Sequence, residues 1–195
     1  MNAAPDRSDQ TVRFLIAILG ITLAISGVIS SPPAIAQSPD LQKIGLVKYM
    51  QASQAAIARD LIAAAEKMPE ADYGFRPSQM TEARTYGAVI GHAADGMFGA
   101  CAKLKGVPIP VQDVERKLAS KAEIVKALKD SIAYCEGAFS ALTDKSVEEY
   151  VPQGPVEIPR SAVLIGVLAH NAEMYGISTV YLRAKHLVPP GSERR

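Results

Sequence analysis

Apolar residues recur every three or four positions through most of residues 37–195, and only short pieces near Val147–Ile158 carry the two-residue alternation of a strand. That period predicts an all-α domain, and the breaker residues cut it into four helices. The first begins at Ser38 and Pro39, a cap residue followed by proline in the first turn, and stops before Pro69. Its apolar stripe includes Leu41, Ile44, Val47, Ile57, Leu61 and Ala65. A second helix runs from about Thr81 to Leu104, with Gly106 as its stop, and buries Tyr86, Val89, Ile90, Ala93, Met97 and Cys101. Ser120 and Glu123 have capping-box spacing and open a third, which carries Leu128, Ile132, Cys135 and Phe139 on to Leu142. The fourth starts near Ser161 and reaches about His186, with Val163, Val167, His170, Met174, Ile177 and Tyr181 as its stripe. Pro189 and Pro190 close it.

Four helices of roughly 22 to 28 residues predict a four-helix bundle, and the joints decide its topology. The connection from Leu104 to Ser120 contains Pro108 and Pro110. Extended, it reaches roughly 50 Å, whereas a helix of this size is about 33 Å long. It can therefore cross the bundle and start the third helix beside the start of the second. With the two helices running the same way, Cys101 and Cys135 would differ by about 7 Å in height, and in a hairpin by about three times that. If the cysteines pair, the topology is up-down-down-up with a long crossover.

Residues 14–29, FLIAILGITLAISGVI, carry no charge, follow Arg13, and precede a small-x-small site at Ala34 and Ala36. This is the anatomy of a secretory signal peptide over residues 1–36, cleaved after Ala36, with residues 37–195 as the bundle domain. The run is short for a membrane span, which makes an N-terminal anchor the alternative, and the absence of a nearby cysteine excludes a lipoprotein anchor. The predicted location is periplasmic or secreted, with no membrane association after cleavage. In such a compartment two cysteines predict one disulfide, Cys101 to Cys135, with two buried free thiols as the other reading. Across the 195 residues, 21 Lys+Arg face 20 Asp+Glu for a net charge of +1, with no basic cluster, so nucleic acid is not an expected partner.

The chain has three histidines. His186, at the end of the fourth helix, reads as a capping or solvated residue. His170 lies within the apolar stripe of its helix, and His92 lies midway along the second helix among small residues, Gly96 and Gly99 following it. A lone core histidine is usually a hydrogen-bonded residue, and two central histidines on different helices are also compatible with a shared metal site. Phosphate-loop, G-x-S-x-G, C-x-x-C and haem-attachment patterns are absent. Glu66 and Glu70 lack the E-x-x-H partners of a di-iron bundle. Tyr181 and Arg183 read as anchors of a helix end, or as lining for a site or a dimer face.

The segments GHAAD and AHNAEMYGISTVYLRAKHLVPP, with MPEADYGFRPSQMTEARTYG and SKAEIVKALKDSIAYCEGAFSAL between and before them, resemble the DinB-like, or YfiT-like, superfamily and its exported members in particular. The resemblance covers about residues 40–192. It implies an up-down-down-up four-helix bundle. It also implies a divalent metal, zinc or nickel, held by one histidine of the second helix and an H-x-x-x-H pair of the fourth. In this chain those positions are His92, His170 and Met174, so the third ligand is a thioether. Thioethers suit copper(I) or haem iron better than zinc or nickel. Three readings stay open: a weakened site that recruits Glu173 or Asp95, a vestigial site with Met174 as a core residue, and a soft-metal site. The family includes thiol-dependent transferases and isomerases, so the resemblance implies a metal-dependent transferase or hydrolase acting on a small molecule. A non-catalytic binding or interaction protein is the alternative. A homodimer is implied by the resemblance alone.

Overall fold

The computed structural model describes residues 41–79 and 82–193. The expected signal peptide and the Ser38–Pro39 helix start lie outside the described residues. The chain divides at Leu41, and the unit from Gln42 onward is the one described below. Its elements are α1 (Leu46–Lys67), α2 (Tyr86–Lys105), α3 (Val114–Lys117), α4 (Lys121–Ser140), β1 (Tyr150–Gln153), β2 (Val156–Pro159), α5 (Arg160–Ala184) and α6 (Pro190–Glu193). The unit is thus mostly helical, as the periodicity predicts, with a small antiparallel sheet in the region near Val147–Ile158 that carries strand alternation. Gly154, at φ 60°, opens the two-residue turn of the hairpin, a conformation its neighbour Pro155 could not adopt.

Local chemistry sets the helix ends. Ser120 and Glu123 close the capping box at the start of α4. Gly106, at φ 65°, ends α2 in the left-handed conformation expected of it. Thr85 caps α2 by accepting the Ala88 N–H, so the helix begins after the Thr81 expected from periodicity. The first helix likewise starts only at Leu46, with residues 41–45 outside it. There the Asp144 carboxylate accepts the Val47 N–H at 3.3 Å, and a Cβ on Gly45 would lie 2.6 Å from Asp144 Oδ2. The α2 start is therefore a local cap, whereas the α1 start depends on a contact 97 residues away in the chain.

Contacts between helices fix their directions. Gly87 of α2 faces Ile124 of α4, Met97 faces Ser131, Cys101 faces Cys135, and the Lys105 ammonium donates to the Tyr134 carbonyl. Over the first three pairs residue numbers rise together, and the long Lys105 side chain reaches back by one residue, so α4 runs in the direction of α2 and the intervening chain crosses the unit. That crossover is not the plain linker expected, because it contains α3. Gln51 donates to the Phe139 carbonyl while Lys121 donates to the carbonyls of Glu66 and Met68, so α1 is antiparallel to α4. Tyr181 donates to the Arg84 carbonyl while His170 faces Gly96, so α5 is antiparallel to α2. Tyr73 and Tyr86 donate to the carbonyls of Ala65 and Ala64, pinning the end of α1 to the start of α2. Burial raises the pKa of both phenols well above the ordinary tyrosine value, which keeps them protonated as donors. Leu61, Ile90, Met97, Leu128, Leu164 and Leu182 fill the centre. Cys101 and Cys135 stand at disulfide distance, Cα–Cα 5.3 Å.

Candidate functional site

His92 owes its surroundings to the residues either side of it in G-H-A-A-D. A Cβ on Gly91 would lie 2.8 Å from the Glu115 Cα and 2.9 Å from its backbone N, so only glycine lets α3 rest directly on α2. One turn further on, the Asp95 carboxylate accepts the N–H groups of Val114 and Glu115 at 2.9 and 3.0 Å. Gly91 and Asp95 thus dock the crossover, and the docking brings the Glu115 carboxylate to His92 Nδ1 at 2.8 Å. The second carboxylate oxygen accepts from Arg84 Nε, also at 2.8 Å. Burial alone would push the Glu115 carboxyl up; the hydrogen bonds from Arg84 and His92, with their charges, outweigh it and hold the group below its ordinary pKa. An ionised Glu115 accepts a proton carried on His92 Nδ1, which orients the ring with Nε2 as the nitrogen turned away from the carboxylate.

His170 comes from α5, with its ring centroid 5.1 Å from that of His92 and the rings edge to face. Gly96 makes the space, since a Cβ there would lie 2.7 Å from His170 Cε1. Burial chiefly, and then the neighbouring His92, lower the His170 pKa, so the imidazole is neutral near pH 7. Beside it lies a cavity of about 80 Å³, lined by Gly96, Ala100, Gly166 and the wholly buried Asn171. Asn171 lies close enough to favour protonated His170 slightly, but neither of its side-chain polar atoms reaches hydrogen-bonding geometry with any group. The His92 imidazole opens elsewhere, into a cavity of about 280 Å³ whose walls include Ile109, Val111 and Glu115 of the crossover. Met174, one turn along α5 from His170, lines neither cavity; it is 3% exposed and packs in the apolar core.

The model of the DinB superfamily matches residues 55–176, well over half of the chain. The chain belongs to the DinB superfamily. Among solved structures it is similar to a DinB-like protein from Bacillus cereus ATCC 10987, at 16% identity and a TM-score of 0.63, over 73% of this chain and 95% of that one. It is also similar to a conserved protein from Enterococcus faecalis, at 10% identity and a TM-score of 0.59, over 72% of this chain and 97% of that one. At these identities the likeness speaks for the fold. No curated protein matches the chain.

Superfamily membership raises the question of a metal, and the donor chemistry answers it for zinc and nickel. His92 and His170 are brought together, but the third position holds a core-packed thioether. Glu173 is exposed, and Asp95 is committed to the α3 backbone. Among the described residues no three His, Cys, Asp or Glu side chains converge as a metal group. Two imidazoles facing separate cavities and a buried thioether do not fit a zinc or nickel ion. Glu115 was not singled out by the sequence reading; its signal was the Gly91 and Asp95 pair flanking His92. His186, at φ 59° and exposed, follows the α5 terminus as expected of a capping position. Tyr181 and Arg183 anchor that end through the Arg84 carbonyl, Thr179 and Ser192.

Proposed function

We propose that this DinB-superfamily chain is an exported up-down-down-up bundle that has lost the family's third metal ligand and works as a non-catalytic binding protein for a small molecule. Met174 carries the reading: a thioether turned into the core stands where the pattern requires an imidazole facing the site. Residues 1–36 act as a cleaved leader, placing the domain in the periplasm or outside the cell. The closeness of Cys101 and Cys135 supports this, since a disulfide persists in oxidising compartments. A net charge of +1 without a basic cluster supports a partner other than nucleic acid.

The test is metal titration of the protein isolated from an exporting bacterium, by calorimetry and by metal analysis after dialysis. Wild type and His170→Ala should bind zinc and nickel equally poorly, and Met174→His should gain zinc binding that a second substitution, His170→Ala, removes. Stoichiometric zinc, nickel or copper(I) binding by wild type that His170→Ala abolishes would overturn the reading in favour of the metalloenzyme. N-terminal sequencing should find Gln37 first.

A further inference from the structure

On the face of the unit away from the two histidines, α1 turns alanines toward α4. Ala52, Ala55, Ala56 and Ala58 leave open a pocket of about 610 Å³ closed on the other side by Ile132 and Phe139. Met97 and Cys135 form its inner wall. The volume falls in the range of about 300–1,000 Å³ that small-molecule sites occupy. Small residues alone would not make a site, but Gln54 lines the same pocket. It is 4% exposed, and neither its Nε2 nor its Oε1 has a hydrogen-bond partner. A buried amide with donor and acceptor both unmet is rare in native proteins. Gln51, one turn earlier, shows the ordinary solution: its Nε2 donates to the Phe139 carbonyl at 2.5 Å.

Two charges stand on opposite lips of the pocket, Arg59 on α1 and Glu136 on α4, both exposed. The antiparallel register set by Gln51 with Phe139 and by Lys121 with Glu66 places Glu136 near the level of Gln54. Arg59 lies five residues beyond, about 7–8 Å along the helix. Two extended peptide residues span about 7 Å and three about 10 Å.

The geometry points to a binding site in the α1–α4 pocket for a short apolar peptide of two or three residues with free termini. In an extended peptide the N–H and the C=O of one residue point to the same side and so can satisfy both Gln54 atoms, whereas a fatty-acid carboxylate offers acceptors only and a sterol hydroxyl offers a single atom. Arg59 takes the ligand's carboxylate, Glu136 its ammonium, and the alanine, isoleucine and phenylalanine walls its side chains. The inference rests on the reading of the chain as a binding protein, and names its ligand class, and its pocket shares only Met97 with the cavity beside His170.

Calorimetry with the full chain isolated from an exporting host tests it, using the dipeptide Leu-Phe, its C-terminal amide, its N-acetyl form and decanoate as probes. Leu-Phe should bind. Arg59→Gln should weaken Leu-Phe about tenfold and leave its amide unchanged, and Glu136→Gln should do the same for Leu-Phe against its N-acetyl form. Both residues are exposed, so these variants fold. Gln54→Leu should weaken all three peptides. His170→Ala should change none of them, so metal binding at the histidines and peptide binding in the pocket succeed or fail separately. No peptide binding at millimolar concentration, equal affinities across the variants, or decanoate binding without Leu-Phe would each overturn the proposal. So would sedimentation showing a dimer that Arg59→Gln dissociates, because a second copy would then cover the pocket.

Discussion

Two glycines five residues apart on α2 make opposite predictions for the same substitution. Alanine in place of glycine inside a helix contributes about 1 kcal/mol of propensity at either position. At Gly91 the new Cβ meets backbone: Glu115 Cα at 2.8 Å, Glu115 N at 2.9 Å and the Val114 carbonyl carbon at 3.2 Å. Ordinary carbon contacts begin at about 3.5 Å, so α3 must retreat by about 0.7 Å. The bonds from Asp95 to Val114 and Glu115, at 2.9 and 3.0 Å, would then stretch past useful length. Overpacking and two weakened charge-assisted bonds cost about 2–4 kcal/mol together, a net loss of about 1–3 kcal/mol. At Gly96 the obstacle is the His170 ring, with Cε1 at 2.7 Å and Nδ1 at 2.9 Å. That half-buried side chain can rotate for about 0.5–1.5 kcal/mol, which the propensity gain roughly cancels. Urea unfolding should therefore show Gly91→Ala clearly destabilised and Gly96→Ala within about 0.5 kcal/mol of wild type. Histidine NMR should show the reverse sensitivity at the His170 ring, which moves in Gly96→Ala. A Gly91→Ala protein as stable as wild type, or a Gly96→Ala protein as destabilised as Gly91→Ala, would refute the assignment of these glycines.

Pairing of Cys101 with Cys135 closes a loop of sequence separation 34, which restricts the unfolded chain by about 3–4 kcal/mol. Mass spectrometry of the unreduced protein should find both thiols oxidised, and the Cys101→Ala, Cys135→Ala double variant should lose most of that stability; free thiols would remove the prediction. Because the folded protein holds the His170 pKa below its ordinary 6.5, the unfolded chain binds the extra proton first as pH falls. This contribution to stability is complete above pH 6.5 and is lost on acidification toward the lowered pKa. In EDTA, wild type should lose more stability than His170→Gln between about pH 7.5 and 5.5; parallel pH profiles would contradict the burial assigned to this ring.

What the sequence made legible was whatever depends on neighbours in the chain. Ser120 and Glu123 cap α4 through a turn of their own, and Gly106 stops α2 because its φ is positive. Ser38 and Pro39 looked like an equally good start signal, yet residues 41–45 are not helical and α1 begins where Asp144, distant in sequence, supplies the cap. The four-residue α3 has no apolar period to detect; Asp95 and the missing Cβ of Gly91 hold it from another helix. The same cause hid Glu115, which reaches His92 across 23 residues through a docking event rather than a spacing rule. His170 was legible because a histidine inside an apolar stripe stands out in one dimension. Gln54 was not, because glutamine among alanines on a helix reads as surface until the burial of its amide is known.

These placements explain why Met174→His isolates a single donor. An imidazole ligand needs a fixed orientation, and the Glu115 carboxylate, itself held by Arg84, already sets one for His92 with Nε2 turned away from it. A second ligand needs to be neutral near pH 7, and burial beside His92 keeps His170 so. It also needs room, and Gly96 provides it against the face of α2. A held ring at His92, a neutral imidazole at His170 and room beside it are therefore present, while the residue four positions after His170 cannot contribute nitrogen or oxygen. Had the site decayed generally, one restored imidazole would change little. Zinc affinity that rises in Met174→His and falls again when Glu115→Ala is added would locate the loss of the metal site at that one position.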